Sequence, residues 1–296
     1  MPFDVILLGT GSPLYSPVRC GAGNVVVAGD TAVLVDCGWG AARRLIASGV
    51  PLGNVKHAFF THMHSDHITD LPDFLIMRWT MSGAAQPLHV YGPEGTREMV
   101  EGFRAGLEPD VRYRIAHHGE KLPRAGMDVV VHEVPATPDV TAVANIGPLA
   151  VGAFEVDHYP VVPALGFRVE SGGAAVVFSG DTKRTDNLVR AAKGADTLVS
   201  EALHLGLMQG RVQMLRGMNN ERVAKMLEEA CEYHTPTLEV AEMARDAGVR
   251  RLVISHLIPP IPDDGPPVEQ FIAGMADVFA GELVVGRDLQ RITVGA

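Results

Sequence analysis

The chain has 296 residues, 47% of them hydrophobic and 20% charged, enough for a substantial core and unlike a disordered or fibrous composition. Its formal net charge of −10 argues against a broad, non-specific nucleic-acid surface, and no apolar run approaches membrane-spanning length. The three cysteines, Cys20, Cys37 and Cys231, are odd in number and lack CxxC spacing, which argues against a disulfide framework and for a reducing cytosol.

The first element is a short buried strand over 5–8, turned by Gly9-Thr10-Gly11-Ser12-Pro13. The apolar run there is too short, and lacks the basic start, for a signal peptide. Residues 24–28 and 32–36 make a hairpin around Gly29-Asp30, with a helix over 41–48. Asp36 reads either as support for a metal ligand or as a turn or helix-cap residue. Residues 55–60 form an apolar strand ending at Thr61, and Asp70-Leu71-Pro72 starts a helix that runs to Met81.

Between that strand and that helix lies His62-Met63-His64-Ser65-Asp66-His67. Imidazole and carboxylate are the usual ligands of zinc and similar metals. His62 and His64 are two apart, so on extended chain they point the same way. Asp66 and His67 follow where the chain turns and reach a second point. One loop at the carboxyl end of a strand therefore serves two metals, where open α/β sheets place their ligands.

Further on come a strand over 88–92 and a helix over 94–107. His117-His118 is expected in a loop, where adjacent side chains diverge and chelate poorly, and His57, His89 and His132 carry no site. A strand over 152–157 leads to His158, one over 174–179 to Gly180-Asp181-Thr182, and one over 197–200 to Glu201. Residues 203–213 read as irregular, and 220–232 as a helix ahead of His234. Thr235-Pro236 starts a helix closed by Gly248, and a strand over 251–255 ends at His256. A Pro-rich loop over 259–267, a helix and two short strands complete a single domain with two sheet-bearing halves. The apolar stretches 76–79 and 203–208 are expected to wall a pocket for a small organic substrate. Alternating strands and helices bring strand ends to one rim, so these scattered residues converge.

The cluster His62-x-His64-x-Asp66-His67, with His158, Asp181 in Phe178-Ser179-Gly180-Asp181-Thr182, and His256, resembles the metallo-β-lactamase superfamily over almost the whole chain. Asp157-His158 leading to Gly166-Phe167-Arg168, then Glu201-Ala202 and His234-Thr235, resemble its tRNase Z-like branch. The resemblance implies an αββα sandwich, two mixed β-sheets flanked by helices. It also implies two divalent metal ions, most often Zn²⁺, with Mn²⁺ or Fe as options. His62, His64 and His158 would hold one, Asp66, His67 and His256 the other, and Asp181 would bridge. Asp66 would also steer the attacking water, with His234 as proton donor oriented by Glu201. The branch is commonly a homodimer. Its tRNA-processing members carry a Gly- and Pro-rich arm ahead of the bridging Asp; here 166–170 runs through Ser171-Gly172-Gly173 straight into the next strand. The first expectation is therefore a cytoplasmic, metal-dependent hydrolase of a small ester-type substrate: a phosphodiester, sulfate ester, carboxylic ester or lactone. Nucleic acid ranks lower, as tRNA 3′ processing, and a non-catalytic metal-binding protein ranks third.

Overall fold

The computed structural model of the chain describes residues 2–295. One seven-stranded sheet holds β1 (Phe3–Gly9), β2 (Gly23–Ala28), β3 (Thr31–Cys37), β4 (Val55–Phe59), β5 (Leu88–Gly92), β6 (Val129–Glu133) and β14 (Arg291–Val294), in the order β14-β1-β2-β3-β4-β5-β6. The other holds β7 (Thr141–Ile146), β8 (Leu149–Glu155), β9 (Leu165–Ser171), β10 (Ala174–Phe178), β11 (Thr197–Leu203), β12 (Arg251–Ile258) and β13 (Glu282–Val285), in the order β13-β12-β11-β10-β9-β8-β7. The helices are α1 (Ala41–Ala47), α2 (Ser65–Ile68), α3 (Leu71–Ser82), α4 (Thr96–His118), α5 (Asp186–Ala192), α6 (Leu205–Gly217), α7 (Glu221–Ala230), α8 (Thr237–Ala247), α9 (Pro266–Phe271) and α10 (Met275–Val278).

Strand periodicity explains the layering. Along β1, Val5 and Leu7 enter the core between the sheets, while Ile6 and Leu8 join the core on the other face, beneath α1. Both faces are covered, so the strand reads as a continuous apolar run. The second sheet repeats this, with Val176 and Phe178 facing inward and Ala175 and Val177 packing beneath α5 and α8. Phe167 of β9 meets Phe59 of β4 edge-on, with ring centroids 5.5 Å apart, so the sheets interlock between the two halves. Losing such a buried ring typically costs about 3–5 kcal/mol. This is the expected αββα sandwich. No helix among the described residues is long and apolar enough to cross a membrane.

Several elements differ from expectation. The helix expected over 94–107 continues through Pro109 to His118 as α4. Phe103, Leu107, Val111 and Ile115 recur every four residues on the core side, so burial of one stripe outweighs the hydrogen bond Pro109 removes. His117 and His118 thus end a helix. The stretch expected to be irregular over 203–213 contains the end of β11 and most of α6. Met208 and Val212, one turn apart, are buried there, and Met208 packs with Leu203 and Ile258. The expected pocket walls divide: Trp79 and Leu203 are fully buried and the buried Arg78 guanidinium donates to the carbonyls of Val55 and Gln86, whereas Leu205 and Gly206 are exposed and Gly206 and Leu207 line a cavity.

Parallel pairing positions the rim. β3 with β4, and β10 with β11 and β12, run parallel, so the residues closing these strands gather at one edge of each sheet. Glu201 and His256 lie inside their strands rather than beyond them. Ser200 pairs with Ile254 but Ala202 with Leu257, a bulge that leaves two residues of β12 opposite one of β11. His256 takes up this mismatch at φ 44, in the left-handed region.

Candidate metal centre

The loop after β4 is shaped by what it packs on. A Cβ on Gly38 would collide with the Asp66 carbonyl, so only glycine lets α2 settle against the end of β3. Gly180 turns the chain at φ 61 so that Asp181 follows directly after β10. His256 is held from beside it: the Leu257 N–H donates to the Thr10 carbonyl, and the Thr10 hydroxyl accepts from buried Arg19, which also donates to the carbonyls of Ile261 and Gly286.

All the expected ligands meet. His62, His64, His158 and Asp181 offer ligand atoms within 4.8 Å of one another, as do Asp66, His67 and His256. His64 Nδ1 lies 3.0 Å from His62 Nε2 and 3.3 Å from His158 Nε2. In the second group, Asp66 Oδ2 is 3.1 Å from His256 Nε2 and 3.6 Å from His67 Nε2. Asp181 joins the groups: Oδ1 is 3.3 Å from His67 Nε2, and Oδ2 is 3.8, 3.9 and 3.4 Å from Nε2 of His62, His158 and His256.

A second layer fixes the tautomers. Asp36 accepts from the Thr61 hydroxyl at 2.9 Å and from His67 Nδ1 at 2.9 Å. With its proton on Asp36, the Thr61 oxygen accepts from His62 Nδ1 at 3.0 Å. The Tyr233 carbonyl accepts from His158 Nδ1 at 3.1 Å. These partners hold the Nδ1 protons of all three rings, so His62 and His158, kept neutral by burial, each turn a bare Nε2 inward. Bare nitrogens then face carboxylate oxygens, and one Nδ1–H of His64 can serve only one of its two neighbours. His67 Nε2, Asp181 Oδ1 and His256 Nδ1 have no hydrogen-bond partner among the described residues. Protons do not satisfy this arrangement, whereas cations do; the residues present fit a metal site. Asp36 thus takes the supporting role. Its φ of 59, a conformation that costs about 1–3 kcal/mol, aims the carboxylate back at Thr61 and His67.

The local field is strong. Burial opposes a charge on His67, yet Asp181, Asp66 and Asp36 hold its pKa well above the ordinary imidazole value. Burial lowers His62 far below that value and His158 to about 4, so both are neutral near pH 7. Asp181 is buried, but His256 and His67 keep it well below the carboxylate range.

Beside the cluster, His234 forms a third close group with Asp181 and His256. Its Nδ1 lies 2.9 and 2.8 Å from the two Glu201 oxygens. Glu201 Oε1 also accepts from the Thr182 N–H at 2.6 Å. Burial pushes the Glu201 carboxyl up and the His234 imidazole down.

Residues 31–257 match the model of the β-lactamase superfamily domain. A protein of Mycobacterium bovis strain BCG / Pasteur 1173P2 named Ribonuclease Z is 40% identical over 294 residues, covering 98% of each chain. The chain belongs to the tRNase Z-like branch of the metallo-β-lactamase superfamily. Another Ribonuclease Z, from Mycobacterium sp. strain KMS, is 40% identical over 98% of this chain and 96% of its own. In fold, this metallo-β-lactamase chain is similar to a metallo-β-lactamase fold protein of Bacillus subtilis (TM-score 0.71, 19% identity, 99% and 100% coverage) and to human tRNase Z, short form (0.69, 24%, 98% of each). Membership makes the chain a metal-binding hydrolase. The β9–β10 connection is only Gly172-Gly173, with Ser171 paired to Ala174, so no arm interrupts it.

Sequence reasoning missed Thr61, Thr182 and the Tyr233 carbonyl as supports. Their signal was only their place beside a ligand or beside His234. His57, His89 and His132 form a stack of their own, with centroids 5.0 and 5.3 Å apart and His89 Nδ1 3.0 Å from His132 Nε2.

Proposed function

We propose that the chain is a phosphodiesterase of RNA that removes the 3′ trailer of precursor tRNA in the cytosol. The observation that carries it is the buried His234–Glu201 pair against the Asp181–His256 edge of the cluster. Hydrolysis of an RNA strand must protonate a poorly leaving ribose oxygen, and an imidazole whose charged form is backed at Nδ1 by a buried carboxylate suits that task. The name shared by the relatives, Ribonuclease Z, puts RNA ahead of the small ester expected from the sequence alone.

His62, His64 and His158 would hold one divalent cation, and Asp66, His67 and His256 another, with Asp181 shared between them. Zinc suits this imidazole and carboxylate donor set best. Two such ions supply Lewis acidity and lower the pKa of water from about 15.7 toward neutrality. The chain's own residues do the rest. Asp66 orients the attacking water with its second oxygen. Glu201 aligns His234 through Nδ1, and His234, once charged by a second proton on Nε2, passes that proton to the departing oxygen and keeps the one facing Glu201. The Tyr233 carbonyl and Asp36 keep the surrounding rings in register.

A small phosphodiester is the second reading, favoured by the two-residue β9–β10 turn, which leaves no arm to hold tRNA. The test incubates zinc-loaded protein with a precursor tRNA and with bis(p-nitrophenyl) phosphate. Cleavage after the discriminator base, lost in Asp181→Ala, is expected. Turnover of the chromogenic diester with the RNA left intact would make the second reading the function.

A further inference from the structure

We propose that the cavity beside His158 is a nucleobase subsite with the Tyr159 ring as its stacking face. It deepens the phosphodiester reading above and rests on it, because a base arrives here as part of a nucleotide whose phosphate lies at the cluster.

The cavity measures about 290 Å³ and is lined by Asp157, His158, Tyr159, Val162 and Asn187 among others. That is just below the roughly 300 Å³ at which drug-sized sites begin, room for a base rather than an oligonucleotide. His158 lines the cavity and also belongs to the cluster, so the two are neighbours. Tyr159 and Val162 are each 70% exposed, although they flank a ligand buried to 1%. Large apolar side chains displayed in water beside a reaction centre mark a binding surface.

The display is fixed. The Val161 N–H donates to the His158 carbonyl at 2.8 Å, and the Tyr159 N–H to Asp157 Oδ1 at 3.3 Å, so the loop presents both side chains without further ordering. A phenol ring stacks on any base through its π-face, and the Val162 methyl groups suit the opposite face. Polar groups complete the fit. The Asp157 carboxylate, half-exposed, offers an acceptor to the exocyclic amine of adenine, cytosine or guanine. Lys183 Nζ stands 3.5 Å from Asp157 Oδ2, and its N–H donates to the Asp157 carbonyl at 2.8 Å. It is free to shift onto a neighbouring phosphate, a point-charge contact that positions a nucleotide without reading its sequence.

Calorimetry on zinc-loaded protein with adenosine 5′-monophosphate and with ribose 5-phosphate isolates the base. The wild type is expected to bind the nucleotide about tenfold more tightly or better. Tyr159→Ala should erase that preference and Tyr159→Phe should keep it. Val162→Asp, at another lining residue of the cavity, should erase it too and serves if Tyr159→Ala does not fold. Equal affinity for the two ligands in the wild type, or an undiminished preference in Tyr159→Ala, would overturn the subsite. Precursor tRNA cleavage is scored separately: intact RNA alongside a clear base preference sinks the proposed RNA substrate and leaves the subsite standing.

Discussion

The two halves of the molecule build the cluster in opposite ways. The first half supplies His62, His64, Asp66 and His67 from one loop after β4. The second half supplies His158, Asp181 and His256 from separate places: just after β8, just after β10 and within β12. The His62 group and the Asp66 group each take two residues from the local loop and the remainder from the dispersed set. Neither half completes either of these two groups alone, so a cation bound there ties the sheets together, and binding energy becomes folding energy.

Asp181 reaches both groups, and its removal should break this arrangement most severely. Asp181→Ala is expected to lower turnover by about a thousandfold or more, with bound metal falling by elemental analysis. His234→Ala should cost about 10²–10⁴-fold in kcat while the metal content stays at the wild-type level. Equal loss of metal in that variant would make His234 a ligand rather than a proton donor. Asp36→Asn sharpens the local side of the comparison. It touches only the loop's supports, Thr61 and His67, and should weaken metal affinity about 10–100-fold in a chelator titration.

The local half was the more legible, for physical reasons. Three histidines and an aspartate in six positions announce themselves without knowledge of the fold. The dispersed ligands were legible because each follows an apolar run and parallel strands end at a common rim. What escaped depends on pairing. The bulge that turns His256 to φ 44 arises from the register between β11 and β12, which neither strand encodes by itself. α6 was hidden because Gly206, Gly210 and Gly217 weaken its propensity, and tertiary burial of Met208 and Val212 overrides them. β7 is an edge strand with little buried surface, so its pattern lacks an apolar face.

The smallest expected effect is on stability without metal. Burial, outweighing the opposing charge of Asp181, lowers His158 to about 4, and burial with His89 and His132 lowers His57 to about 4. The unfolded values lie near 6.5. Between these limits the unfolded chain binds more protons, so the contribution of these groups is complete above about pH 6.5 and is lost as pH falls toward about 4. Urea unfolding of chelator-treated protein should show stability rising with pH across that window. His67 and Glu201, raised on folding, act in the opposite sense, so the rings' own share is the part of the slope lost in His57→Gln and His158→Gln; a slope unchanged in both would mean that the two rings are protonated equally in both states.

The measurement that bears most directly on the paired cluster is the number of zinc ions bound per chain at saturation, read by elemental mass spectrometry and located by anomalous scattering. Two ions, one among His62, His64 and His158 and the other among Asp66, His67 and His256, with Asp181 touching both, is the predicted result. A chain that saturates with none or one, or that binds its ions away from these residues, would contradict the account.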